Sequence, residues 1–399
     1  MKKYDCIIAG GGVAGFAAAV GAAQAGSKVL LIERMPCVGG TAVYALTPIL
    51  SGWPKAVLGN AVGGMLGDEL KKMNAFDWRG NKIVTHEDAL QTAMMTLLQR
   101  HNVDTLFNAE LFEAAVENRR VKYIGVLCSG QKLYFEAENF VDATGDGSFS
   151  ILAGAEVTVP DDEESMTKTL MFKVRNVKNF NRELVIDTFA GNVQHFPVKI
   201  QDSFMGMPLI DKEEVVLNLT AVPGNAADPE QYSAMYRELF DQIAPIMDFM
   251  RKYIPGFADA VVSKVAPQVG VRYARSVVCC QRLTVEDMFN PEMTPEPVAF
   301  CGSFIGGHFI KQFESPWGAQ VTGKPAIPYG ALRVKGVENL LAAGKIIDVE
   351  PRAISAVRLA AGCMSSGQAA GIAASLNVPE YPVLRKELER QNCMFWLEQ

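Results

Sequence analysis

Apolar residues along the chain gather in short runs that end on glycine. Residues 4–9, YDCIIA, are followed at 10–15 by GGGVAG, then by the small-residue stretch FAAAVGAAQAG and a second apolar run, KVLLIER. Strand, glycine turn, helix, strand is the order of a βαβ unit. Further on, AENFVDATGDG (137–147) and GVENLLAAG (336–344) predict two more buried strands ending on glycine. GCMSSGQAAGIAAS (362–375) predicts a helix of small residues. Residues 86–101 predict a helix packed on the sheet.

The middle of the chain has a different texture. Residues 165–177, 195–200 and 213–222 predict strands of an antiparallel sheet. Asp228-Pro229 predicts a helix start, with aspartate as N-cap and proline in the first turn, running to about Lys252. Its apolar face is Met235, Leu239, Phe240, Ile243, Met247 and Met250.

Composition narrows the class. At 49% hydrophobic and 21% charged residues, the 399-residue chain is not disordered and can hold two domains. A net charge of −6, with Arg119-Arg120-Val121-Lys122 the only short basic run, excludes a nucleic-acid footprint. The eight cysteines show no paired CxxC spacing, so no metal site is expected. A strand begins almost at the first residue and no apolar run is long enough for a membrane span. The expected location is therefore cytoplasmic, with reduced thiols.

Gly10, Gly12 and Gly15 fit G-x-G-x-x-G. The first allows the tight turn, the second lets a pyrophosphate approach the backbone, and the third lets helix and strand pack closely. The helix N-terminus at Val13 and Ala14 offers its N–H groups to phosphate. Glu33 closes the second strand, where a carboxylate accepts both ribose hydroxyls of an adenosine. The context makes this a dinucleotide fingerprint and leaves FAD or NAD open. No second such motif lies on a strand–helix junction, which argues against a separate NAD(P)H domain.

The pieces IAGGGVAGFAAA, ER…GGTA, HEDALQTAMMTLL, VDATGDGS, GVRYAR…LTVED, IPYGAL, NLLAAGK and GCMSSGQAAGIAA together resemble the FAD-dependent oxidoreductases of the glutathione-reductase-like superfamily, which have two dinucleotide-binding domains. The nearest resemblance is to a bacterial subfamily of these flavoproteins. It implies FAD as cofactor and an α/β fold: a discontinuous Rossmann-like FAD-binding domain (1–155 and 325–399) with an inserted mixed or antiparallel-sheet substrate, or cap, domain (156–324). It also implies roles. Arg34, Gly39, Gly40 and Thr41 would complete the cofactor loop, and Ala143, Thr144 and Gly145 would form a second glycine turn. Gly344 and Asp348 would lie near the pyrophosphate and ribitol, although their spacing departs from the family's adjacent Gly-Asp pair. The helix beginning near Gly362, with Cys363 and Met364, would aim its positive end at the flavin pyrimidine.

The disulfide reductases of that superfamily carry a redox cysteine pair in this loop. Here Ala42 and Thr47 stand at those places, followed or framed by an apolar wall, Val43-Tyr44-Ala45-Leu46, expected beside the flavin. Dithiol chemistry is not expected. Cys279-Cys280 is a vicinal pair too strained for a disulfide.

Few residues suit proton transfer or substrate charge. Of four histidines, His308 in GSFIGGHFIKQF is the candidate proton carrier; His86 and His101 flank a helix and His195 lies on a predicted strand. Arg272 and Arg275, in VGVRYARS, would hold a substrate carboxylate or the flavin; internal ion pairs would serve them equally. Tyr329 would face the flavin or merely enter a strand. Arg352 or Arg358 would approach the same site, unless both are on the surface. The expected function is oxidoreduction of a small organic substrate by hydride transfer through flavin N5, with an external electron donor or acceptor and oligomeric state left open. The alternative is a dinucleotide-binding protein of the same fold with a biosynthetic or binding role.

Overall fold

A computed structural model describes residues 1–53, 61–161, 165–290, 294–302, 304–305, 319–320 and 325–395. Its centre is a seven-stranded sheet. Strands Asp104–Leu106, Val29–Ile32, Lys2–Ala9 and Gln131–Asp142 run parallel in that order, and Leu340–Ala342 joins the far side of the last, also parallel. The early part of Gln131–Asp142 also closes an antiparallel meander with Arg120–Cys128 and Ala109–Glu117.

Register explains why distant glycine motifs meet. Ala9 lies opposite both Ile32 and Asp142, and Ala342 lies opposite Asp142. The four strands therefore stop level, and Gly10, Glu33, Ala143 and Gly344 all emerge at one carboxyl edge. That edge is where open α/β sheets bind ligands.

Two helices cover this sheet, Val13–Gln24 and Ala360–Ser375. Both are buried almost all round, which is why neither has an amphipathic pattern. They cross at backbone contact: a Cβ on Gly367 would strike the backbone of Ala14, and one on Gly371 that of Ala18. Glu87–Arg100 is the expected scaffold helix.

The middle of the chain builds a four-stranded antiparallel sheet in the order Gly206–Pro208, Val215–Leu217, Phe172–Arg175, Val261–Val265. It carries its own core, including Phe172, Phe189, Phe196, Leu239 and Met250. Three local expectations change. Residues 195–200 are not a strand: Val193–His195 is a 3-10 turn, Phe196 N donates back to Val193 O, and Pro197 has no N–H for a ladder. His195 stacks on Tyr253. The long helix is two, Pro229–Asp241 and Ile243–Tyr253. Pro245 cannot donate to Asp241, and the Gln242 side chain at the break bonds both backbone groups of Ala221. Asp228 does cap the first helix, accepting from Glu230 N and Gln231 N. Five residues of its expected apolar face are buried, but Phe240 is 50% exposed, turned off the stripe just before the break.

A buried ion cluster joins insert to scaffold. Lys173 and Lys264 lie opposite each other on neighbouring strands. Two like charges there repel, and Glu87, 4% exposed, meets both at 2.6 and 2.9 Å while Glu214 meets Lys173 at 3.3 Å. Burial pushes the Glu87 carboxyl up, but its bonds to Lys173 and Lys264 outweigh burial and hold it below its ordinary value. A depressed carboxyl stabilises the fold above its unfolded pKa, and that contribution disappears as pH falls through the folded value. Glu87→Gln is expected to destabilise the protein by about 2 to 3 kcal/mol at neutral pH, because the buried Lys173 keeps only the longer contact to Glu214 and the half-exposed Lys264 loses its partner. In urea unfolding, the gap from wild type should close as pH drops below about 4. A gap that is independent of pH would contradict the ion-pair origin.

Candidate cofactor and substrate site

The three fingerprint glycines are required for different reasons. Gly10 has φ +98°, and a Cβ there would enter the Ala143 carbonyl. A Cβ on Gly15 would strike the Gly10 carbonyl oxygen. The chain itself demands both. Gly12 is different: its φ of −67° and ψ of −176° suit any residue, and a Cβ would have nothing nearer than Gly40 Cα at 3.8 Å. No protein atom excludes a side chain at Gly12. The space in front of it is therefore a cradle that a side chain would fill and a pyrophosphate needs.

The loop at 39–41 folds over that cradle. Gly39 (φ +128°) donates to Gly11 O at 2.8 Å, and a Cβ on Gly40 would lie 2.7 Å from Gly12 Cα. Thr41 is exposed at the start of the short Gly40–Tyr44 helix. Glu33, 6% exposed, accepts from Gly11 N and Met35 N. Burial pushes its carboxyl up while those two N–H groups pull it down. It stands at the strand end where a ribose diol would be held.

Asp142 organises the second glycine turn, a role the sequence patterns alone did not single out. Fully buried, its carboxylate accepts from Thr144 N and Oγ1 and from Ser150 N and Oγ, at 2.7 to 3.0 Å. The turn Ala143-Thr144-Gly145 is thereby fixed beside Gly10. Asp146 projects from the same turn to pair with Arg34 at 3.1 Å. The signal was present as aspartate before Thr-Gly with a serine in the helix that follows.

At the third turn, Gly344 has φ +76°, and a Cβ there would lie 2.9 Å from Ala14 Cβ. Its N–H donates to Ser366 Oγ. Lys345, not Asp348, follows it directly. Asp348 departs from the expected role: its carboxylate accepts from Cys279 N at 2.9 Å and faces Arg282 at 3.7 Å, so the chain itself engages it. The C-terminal helix starts at Ala360, slightly before Gly362, with Leu359 at its N-cap and no side-chain cap. Its leading N–H groups are left for a ligand. Gly362, Cys363 and Met364 are buried in that first turn.

Cations converge on this edge. Lys345 Nζ donates to Val271 O. Burial lowers its ammonium to about 8, against the pull of Asp146 and Cys363. Arg272 donates to Thr167 O at 2.6 Å and to Asn218 Oδ1 at 3.4 Å. Burial, then the nearby Arg358, brings it to about 9. Burial brings Arg358 to about 10, and its buried Nε has no hydrogen-bond partner among the described residues. Both guanidiniums remain charged at neutral pH.

Other candidates sort differently. Arg275 clamps two backbone carbonyls, of Asp146 at 3.0 Å and of Ala227 at 2.8 Å, and so positions the second turn. Tyr329 is fully buried under Arg333, with Glu296 and Glu380 as its charged neighbours, and its hydroxyl has no partner among the described residues. Arg352 is exposed. His308 lies outside the described residues. The wall 43–46 is buried, and Tyr44 O accepts from Gln268 N, while Leu46 belongs to the insert's core. That segment is a joint between the two cores. Among the described residues, no group of histidine, cysteine or acidic side chains could hold a metal. No described helix is long and apolar enough to cross a membrane.

A parallel sheet whose carboxyl edge gathers three glycine turns, a strand-end acid and an uncapped helix defines a dinucleotide-binding flavoprotein scaffold. The FAD dependent oxidoreductase family profile matches residues 5–386, and the chain belongs to that family. Its cofactor is FAD.

Among characterised proteins, it is 29% identical over 195 residues to a dihydrolipoyl dehydrogenase of Acholeplasma laidlawii, covering 46% of this chain and 52% of that one. The match thus spans about half the length of this relative. The fold is similar to a geranylgeranyl bacteriochlorophyll reductase-like protein from Thermoplasma acidophilum: TM-score 0.53, 13% identity, 98% of this chain and 83% of that one. It is also similar to the myxobacterial chondrochloren halogenase: TM-score 0.52, 16% identity, 98% and 79% covered.

Proposed function

We propose that the protein is an oxidoreductase of the glutathione-reductase-like lineage that acts on a small organic anion by hydride transfer at FAD N5, without a dithiol relay. The observation that carries this reading is the Arg272–Arg358 pair. Both guanidiniums are partly buried, the charge of Arg358 acts on Arg272, and the buried Nε of Arg358 has no acceptor among the described residues. Charges are retained in such a position where an anion binds and offsets them. Bound FAD supplies the two-electron chemistry. Gly10, Gly12, Gly15, Gly39, Gly40, Glu33 and the Ala143–Gly145 turn hold it, and the N-terminus of the Ala360–Ser375 helix favours negative charge beside it. Arg272 and Arg358 orient the substrate carboxylate. Lys345 adds positive charge to the same edge. Ala42 and Thr47 occupy the places of redox cysteines, so electrons come from an external donor or pass to an external acceptor without a dithiol relay.

The test is spectroscopic. Purified protein supplemented with FAD should show flavin absorbance; anaerobic addition of reduced (saturated or hydroxy) carboxylic acids should bleach it, or, after prior flavin reduction, their oxidised (unsaturated or keto) counterparts should restore it. The matching neutral amides should react far more slowly. Absence of flavin bands, or equal rates with acids and amides, would overturn the proposal.

A further inference from the structure

A cavity of about 670 Å³ opens in the insert, away from the glycine turns. Its floor is the edge of the four-stranded sheet, and the Arg182–Asn192 helix and the strand Ile49–Ser51 flank it. The volume is within the range of small-molecule sites. Met171, Met205, Met207, Phe189 and Phe204 form the apolar wall. Thioethers adapt to irregular apolar shapes, and Phe189 is anchored in the insert core by Phe196 and Phe249, so the wall is backed by rigid packing.

Two cations line the same cavity, Lys82 and Arg182, against one carboxylate, Asp202. Lys82 is half-buried and has no ion pair among the described residues. Burial, then Arg182, lowers its ammonium below the usual value. Arg182 is exposed at the rim and, among the described residues, gives one hydrogen bond, to Gly206 O at 3.2 Å, leaving donors of its fork for another acceptor. A small polar anion would leave the apolar wall wet, and a neutral apolar molecule would leave Lys82 unanswered. An apolar body bearing one acid satisfies both.

We propose that this cavity binds an amphipathic monocarboxylate, its apolar body against the methionine and phenylalanine wall and its carboxylate on Lys82 and Arg182. The site needs no flavin chemistry and stands independently of the substrate reading above. At its inner end Asn218 both lines the cavity and accepts from Arg272, so the two sites share one side chain.

Calorimetry on the FAD-loaded protein tests this with dodecanoate, acetate and octanol as probes. Dodecanoate should bind at least about tenfold more tightly than either acetate, which lacks the body, or octanol, which lacks the charge. The double variant Lys82→Met, Arg182→Met should weaken dodecanoate at least about tenfold and leave octanol unchanged, because a charge-assisted contact is lost and the wall is not. Ala190→Trp should fill the cavity and abolish binding of both. Thermal melts and flavin absorbance report whether each variant is folded.

No heat from dodecanoate, equal binding of acetate, or an unchanged affinity in the double variant overturns the proposal. The two readings also fail separately. Dodecanoate binding without any flavin reduction by acids removes the proposed function and keeps this site. Flavin reduction by small acids with no dodecanoate binding does the reverse.

Discussion

Gly12→Val is expected to yield a folded protein that does not hold FAD. The backbone at Gly12 is in a conformation valine accepts, and the nearest atom to an added Cβ is 3.8 Å away. Thermal unfolding of the cofactor-free variant should match cofactor-free wild type. FAD affinity should fall by at least about hundredfold, equivalent to about 3 kcal/mol, because the isopropyl group fills the space for the pyrophosphate. Flavin fluorescence quenching on titration measures this.

Gly15→Val provides the contrast. Its side chain would enter the Gly10 carbonyl, so that variant should lose the fold along with the cofactor. Wild-type FAD affinity in a folded Gly12→Val protein would remove the cradle from the account.

Arg358→Met is expected to separate function from stability. If Arg358 holds a substrate carboxylate, its loss should lower kcat/KM by about 100- to 1000-fold, as expected when one member of an enclosed charge pair is truncated. KM should rise, flavin absorbance should persist, and Arg358→Lys should recover part of the loss. The cofactor-free variant should also melt above wild type. The substitution removes a partly buried charge that repels Arg272 and whose Nε has no partner among the described residues. A purely structural arginine would give the opposite sign, a lower melting temperature with unchanged KM. Stationary-state kinetics with the acid found to reduce the flavin, together with differential scanning calorimetry, distinguish the two.

Local patterns carried the scaffold's elements well, and the reason is that their constraints are local. A buried parallel strand needs an apolar run, and a tight turn onto a helix needs glycine at fixed offsets. Asp228 as N-cap is likewise a contact within three residues. The misjudged elements depended on competition that lies off the local pattern. Phe196 and Val198 alternate with other residues as a strand would, yet Pro197 withholds the ladder donor and both side chains plug the insert core. Pro245 and Ala221 together decide where the long helix breaks.

Site chemistry was legible in the same measure. Gly10, Gly12, Gly15 and Glu33 follow from sequence spacing, and the register of four strands brings them to one edge with the turns at Ala143 and Gly344. Nothing in a linear pattern distinguishes Arg358 from Arg352, or Lys345 from a surface lysine. Arg358 and Lys345 are enclosed because the C-terminal segment returns over the first helix, and Asp348 is claimed by Cys279 across the sheet. Arg275 and Tyr329, equal candidates by residue type, differ for the same reason: one clamps the turn that bears Asp146 and the other is buried beneath Arg333.

Sequence by itself determined the βαβ dinucleotide unit, because it rests on residue types at short, fixed spacing; FAD, the family and the replaced redox-cysteine positions came from the resemblance of the whole set of motifs. Only the tertiary structure decided which cations are drawn in from the surface, which carboxylates are already engaged, and that the insert holds a cavity with its own charge. Burial and pairing depend on segments hundreds of residues apart, and those distances are set by the packing of the whole chain.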